Sequence, residues 1–177
     1  AVAVVGRQNV GKSTLVNRLF GSREAIAHEM PGVTRDRVEL EATWRGRTLR
    51  LVDTGGFAHG AKGIEALVSD QAERAARAAD VVLLVVDVQT GPVEEDGILA
   101  RRLRKPKVPV LVAVNKVDIE RDEAEVSAFH ALGLGEPVPV SALHGRGSGD
   151  LLDEVVALLP DEGADETEEH EEPTFAI

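Results

Sequence analysis

Residues 6–14 read GRQNVGKST: a Gly, four variable residues, then Gly-Lys-Ser, lying between the apolar run AVAVV (1–5) and KSTLVNRLF (12–20). That spacing suits the wrapping of a phosphate. Gly6 and Gly11 let backbone N–H groups turn inward and approach an anion closely. A helix starting at Lys12 adds partial positive charge at its N-terminus. Lys12 is expected to reach the β- and γ-phosphates of a nucleotide, and the Ser13 hydroxyl to ligate Mg²⁺. Arg7, Gln8, Asn9, Val10 and Thr14 complete the stretch that would line the phosphates. Alone, this loop leaves ATP and GTP open, and kinase and switch chemistry too.

A second stretch, DTGGF (53–57), follows the mostly apolar residues Leu49–Val52. Asp53 at a strand end is placed to hold Mg²⁺ through a water. The Gly56 N–H can bond a γ-phosphate and report its loss, with Thr54 and Gly55 completing the turn. In Asp-x-x-Gly switch proteins a Gln often follows and orients the attacking water. Phe57 stands there instead and cannot hydrogen-bond a water.

VNKVD (114–118) closes a third apolar run. The Asp118 carboxylate can accept two hydrogen bonds, from guanine N1–H and the 2-amino group. Adenine has no 2-amino group, and its N1 is an acceptor, so it is disfavoured. Asn115 is expected to fix the base and neighbouring loops, the alkyl part of Lys116 to cover the base plane, and Val117 to lie between them. Ser141, Ala142 and Leu143 form a later loop whose Ala142 N–H could meet guanine O6.

The elements that must hold these loops follow from periodicity. AVAVV (1–5), RVELEATW (37–44), TLRLVD (48–53), VVLLVVD (81–87), VPVLVAVN (108–115) and PVPVS (137–141) read as strands, the second and third forming a hairpin through RGR. Helices are expected over 12–20, through the stripe Ile64, Leu67, Val68, Ala72, Ala75, Ala76 and Ala79, and over 94–105, 122–131 and 149–159. Strands alternating with helices predict an α/β fold. The sheet is mostly parallel and six-stranded, with one antiparallel edge strand and helices on both faces. Right-handed crossovers then bring the four chemical loops to one edge of the sheet.

The 177 residues suffice for one domain with a sizeable core. Aromatic residues are 3%, so Val, Leu, Ala and Ile must build that core. With no Cys, disulfides and Cys-held metals are excluded. The net charge of −11 is concentrated in residues 161–173, DEGADETEEHEEP, which hold eight of the 31 acids and read as a flexible linker. The rest is nearly balanced against 20 bases and shows no basic stripe for nucleic acid. No apolar stretch reaches membrane-spanning length and no signal pattern opens the chain, so no membrane partner and a cytoplasmic location are expected.

With these loops in this order, residues 1–160 resemble a GTPase of the Ras-like P-loop G-domain fold. PGVTRDR (31–37), DTGG, SALHGRG (141–147) and Asn9 are similar to the first G domain of the Der (EngA) family of bacterial ribosome-assembly GTPases. The resemblance implies GTP and GDP as ligands, Mg²⁺, slow GTP hydrolysis, and the ribosome as partner in large-subunit biogenesis. It implies a second G domain and a KH-like domain in the parent chain. TFAI (174–177), similar to the opening AVAVV, would begin that second domain. It also implies switch I over Glu24–Asp36, with Thr34 completing the Mg²⁺ shell. Related GTPases with an Asn in the phosphate loop bind K⁺ there, so Asn9 would supply a K⁺ ligand and replace what Phe57 lacks. Asn9, Lys12, Thr34 and Gly56 are then the catalytic set. One departure is Gln8, where the family usually has Pro, which removes a fixed φ. Arg35 and Arg37 fit a solvated or partner-facing role better than an arginine finger.

Two other readings stay open. One is a regulatory GTP/GDP-binding module with little hydrolysis of its own. The other is the G domain of a different K⁺-dependent GTPase, such as a tRNA-modifying enzyme.

Overall fold

The computed structural model describes residues 1–21, 27–28, 39–52 and 65–161. The chain runs β1 (Val2–Val5), α1 (Lys12–Phe20), β2 (Ala27–His28), β3 (Glu39–Trp44), β4 (Arg47–Val52), α2 (Glu65–Arg77), β5 (Val81–Asp87) and α3 (Glu94–Leu103). It continues through β6 (Val110–Asn115), α4 (Glu120–Val126), a 3-10 helix (Ser127–Leu132), β7 (Val138–Pro139) and α5 (Ser148–Leu158). Except for Asp161, the expected linker and terminal strand lie outside the described residues.

The sheet order is β2-β3-β4-β1-β5-β6-β7. The six expected strands are present, with β4, β1, β5, β6 and β7 parallel to their neighbours in that run and β3 antiparallel to β4. The two-residue β2 extends the β3 edge, also antiparallel. Two residues are too few to show alternation, so this piece had no signature to read.

Strand alternation divides the core into two layers. Ala3, Val5, Leu84, Val86 and Val114 face α2 and α3, where Ala72, Ala76, Leu99 and Leu103 cover them. Val2, Val4, Leu83, Val85 and Ala113 face α1 and α5, where Leu15, Leu19, Leu151 and Val155 cover them. All seven residues of β5 are buried, as a central strand covered on both faces requires.

The single helix expected over 122–131 is instead α4 followed by the 3-10 helix. Val126, Phe129 and Leu132 recur every third residue, and all three are buried. Three residues per turn is the 3-10 period, so tightening the helix keeps the three in the core.

The register pairs Asp87 with Asn115 at the ends of β5 and β6. Because β1, β5, β6 and β7 run parallel, the loops after them leave from this one edge.

Candidate functional site

Two glycines allow the loop after β1 to pass where it does. A Cβ at Gly6 would lie 2.5 Å from the Val85 carbonyl oxygen, and one at Gly11 only 2.3 Å from Asn115 Nδ2. Gly11 also holds φ 92°, a left-handed value. Between them Asn9 turns with φ 65°, which Asn tolerates better than most residues. Val10 is fully buried and pins the loop's underside, while Gln8, Asn9, Ser13 and Thr14 are exposed.

α1 begins with no side-chain cap and no acid in its first turn. Its first N–H groups and its positive dipole end are left for an anion. Lys12 Nζ donates to the Gly6 and Arg7 carbonyls, each at 2.7 Å. Burial, and then the like charge of Arg7, lowers the Lys12 ammonium to about 8. A partly desolvated cation in a loop with free N–H groups is built to meet negative charge.

The loop after β6 is tied on three sides. Asn115 Nδ2 donates to the Val10 carbonyl at 2.9 Å, and its Oδ1 accepts the Ala142 N–H at 3.0 Å. One buried amide thus joins the loop after β1 to the loop after β7. Lys116, at φ 66°, donates to the Asn9 carbonyl at 2.8 Å and to Asp87 Oδ2 at 2.7 Å. Its alkyl chain is held between these anchors, as a side chain covering a base needs. Asp118 Oδ1 accepts the Ser141 hydroxyl at 2.6 Å, and Ser141 Oγ in turn accepts the His144 N–H at 3.2 Å. Val117 is buried and donates its N–H to the Val140 carbonyl at 3.1 Å. The Ala142 N–H, which the sequence offered to guanine O6, is already used by Asn115. Leu143 is exposed beside it.

The structure therefore brings residues 6–14, 115–118 and 141–143 together. Thr34, Asp53, Thr54, Gly55, Gly56 and Phe57 lie outside the described residues. So does switch I, apart from Ala27 and His28.

Three contributors escaped the sequence reading. Asp87 is buried at the end of β5 and orients Lys116. An acid closing a wholly apolar strand was the available signal. Arg18 on α1 donates to the Ala142 carbonyl at 3.0 Å and the Leu143 carbonyl at 2.8 Å, with no local pattern to announce it. Asp96 is fully buried at the start of α3, 3.4 Å from Arg7 Nε. Burial pushes its carboxyl up, against the lowering pull of the Val93 N–H and Arg7.

A family model described as 50S ribosome-binding GTPase matches residues 1–116. The GTPase Der of Streptomyces coelicolor is 56% identical over 160 residues, covering 90% of this chain and 34% of that protein. The chain thus spans about a third of the curated relatives it matches. Among solved structures, Era in complex with MgGDPNP and a segment of 16S ribosomal RNA superimposes with a TM-score of 0.69 at 30% identity, over 90% of this chain and 56% of that one. Aquifex aeolicus Era bound to GDP and AlF4⁻ gives 0.68 at 32% identity with the same coverage. Among the described residues, no helix is long and apolar enough to cross a membrane. With its model matching residues 1–116, the chain belongs to the 50S ribosome-binding GTPase family.

Proposed function

We propose that this chain binds GTP and GDP with Mg²⁺, hydrolyses GTP with K⁺ in place of a catalytic glutamine, and serves large-subunit ribosome assembly. The observation that carries the nucleotide reading is Asn115, whose single buried amide bonds both the phosphate loop and the 141–143 loop. Phosphate and base recognition are thereby parts of one rigid site.

The residues fit each ligand chemically. Guanine fits Asp118, whose carboxylate accepts only the Ser141 hydroxyl among the described residues and has room for two base donors. Triphosphate fits the uncapped start of α1, where Lys12 exchanges the Gly6 and Arg7 carbonyls for phosphate oxygens. Mg²⁺ fits the exposed Ser13 hydroxyl in the first turn of α1, with Thr34 as a further ligand and Asp53 holding it through a water. Bound there, it neutralises charge on the β- and γ-phosphates. K⁺ fits Asn9, whose exposed side chain offers a carbonyl oxygen at the loop's left-handed turn. Bound there, it would supply positive charge against the negative charge developing between those phosphates. Gly56 would sense the γ-phosphate through its N–H.

Support for the ribosomal role comes from the family's description and from Era, solved with a segment of 16S ribosomal RNA. Residues 1–160 form the G domain in this reading, 161–173 the linker, and 174–177 the start of a second G domain. The KH-like domain of the parent chain would carry the ribosome contact.

A second reading is favoured by Phe57: a domain that holds guanine nucleotide as a regulatory ligand and hydrolyses it negligibly. Phosphate release from GTP, with ATP as control, in KCl and in NaCl, separates the two. Faster GTP turnover in KCl, lost in Asn9→Ala, is the expected result. Equal, negligible rates in both salts with GTP still bound would leave the regulatory module.

A further inference from the structure

Arg7 occupies the first variable position of the phosphate loop, and its guanidinium reaches the loop and helix that follow β5. Nη2 donates to Thr90 Oγ1 at 2.7 Å, and Nε lies 3.4 Å from Asp96 Oδ1. The other Asp96 oxygen, Oδ2, accepts the Val93 N–H at 3.1 Å and caps α3. Thr90 Oγ1 is itself fixed by the Asp87 and Gly91 carbonyls, at 3.2 and 3.0 Å.

A cap needs only an acceptor, and an uncharged Asn supplies one. A fully buried carboxylate is retained at a desolvation penalty unless a cation answers it. Arg7 is that cation. Arg7 Nε and Asp96 Oδ1 are both buried and have no hydrogen-bond partner among the described residues, so charge rather than a hydrogen bond holds them together. The Arg7 carbonyl, in turn, is one of the two anchors of Lys12 Nζ.

We propose that Asp96 is a positioning residue for the nucleotide's phosphates: through Arg7 it fixes the first turn of the phosphate loop from α3. This rests on the guanine-nucleotide reading above. The base loop has separate ties, through Asn115 to Val10 and Lys116 to Asn9, and does not depend on the pair. Losing the pair therefore weakens phosphate binding and spares base selection.

The test is titration of the chain with GDP, GMP and ADP, with thermal unfolding alongside. Asp96→Asn keeps the cap on α3 and removes the charge. It is expected to weaken GDP about tenfold while GMP affinity and the GDP-over-ADP preference hold, a size typical of coupled neighbours. Arg7→Gln, which keeps the Asp96 carboxylate as the cap on α3, is expected to give the same loss. The double variant is expected to lose no more than either single one. Equal weakening of GDP and GMP would show a general support for the fold and overturn the proposal. Additive losses, or unchanged GDP affinity in both single variants, would overturn it too. A wild-type chain that binds no GDP would overturn the guanine reading, and this inference with it.

Discussion

Around residues 115–118 and 141–143, the side chains that would read a base are already bonded to protein. Asn115 has partners at both ends of its amide, Lys116 has two, and Asp118 holds Ser141. At the start of α1 the reverse holds. No side chain caps the helix, no acid sits in its first turn, and among the described residues Lys12 bonds only carbonyls of its own loop. α5 also follows a glycine with no side-chain cap, but α3 and α4 differ. Asp96 closes α3, and Asp122 closes α4 by accepting the Asp118 and Ile119 N–H groups. In the function proposed above, the base half would be organised before a ligand arrives and would discriminate, and the phosphate half would offer open positive potential and supply affinity.

The largest effect should come from the open half. Lys12→Ala is expected to lower GDP affinity about a thousandfold, as when one partner of a desolvated charge pair is removed. The ligand-free protein should melt no lower, since a partly desolvated ammonium has gone; calorimetry and thermal melts read both. If ligand-free stability fell as well, Lys12 would belong to the structural half.

Next, Asp118→Asn is expected to remove most discrimination between GDP and inosine diphosphate, which lacks the 2-amino group. Wild type should prefer GDP by about a hundredfold, near the worth of charge-assisted hydrogen bonds. Retained preference in competition binding would move base selection elsewhere.

Gly11→Ala strikes the contact between the halves, because its Cβ falls 2.3 Å from Asn115 Nδ2 at φ 92°. A loss of about 2 kcal/mol in urea unfolding is expected from backbone strain and steric overlap. Unchanged stability would mean that the halves are not joined at Asn115.

The smallest effect, taken per unit of pH, is the pH dependence of the open half. Lys12 in the free protein loses its proton near 8, below its ordinary 10.5, and phosphates bind its charged form. GDP affinity should fall as pH rises above 8, by up to about tenfold per unit, and Lys12→Met should flatten that slope. Ligand-free stability should move oppositely. The unfolded chain holds the proton to about 10.5, so the burial penalty is relieved as pH rises from 8 toward that value.

Both halves were legible in the sequence only in part. Gly6, Gly11, Lys12 and Asp118 announce themselves because backbone curvature and ligand chemistry demand those residue types at short spacing. The strand and helix order was readable too, since burial on one or two faces leaves a period. What the sequence did not reveal are the long-range ties. Arg18 meets Ala142 and Leu143, and Arg7 meets Asp96, across separations that no local pattern encodes. The Ala142 N–H illustrates the limit: its loop was located correctly, but its bond to Asn115 depends on two strands meeting in register.

The most direct measurement of this division is the affinity of the wild-type chain for GDP, ADP and GMP under one buffer with Mg²⁺. GDP should bind far tighter than ADP, from which the base half differs, and tighter than GMP, from which the phosphate half differs. Equal affinity for GDP and ADP would contradict the claim that residues 115–118 and 141–143 read guanine.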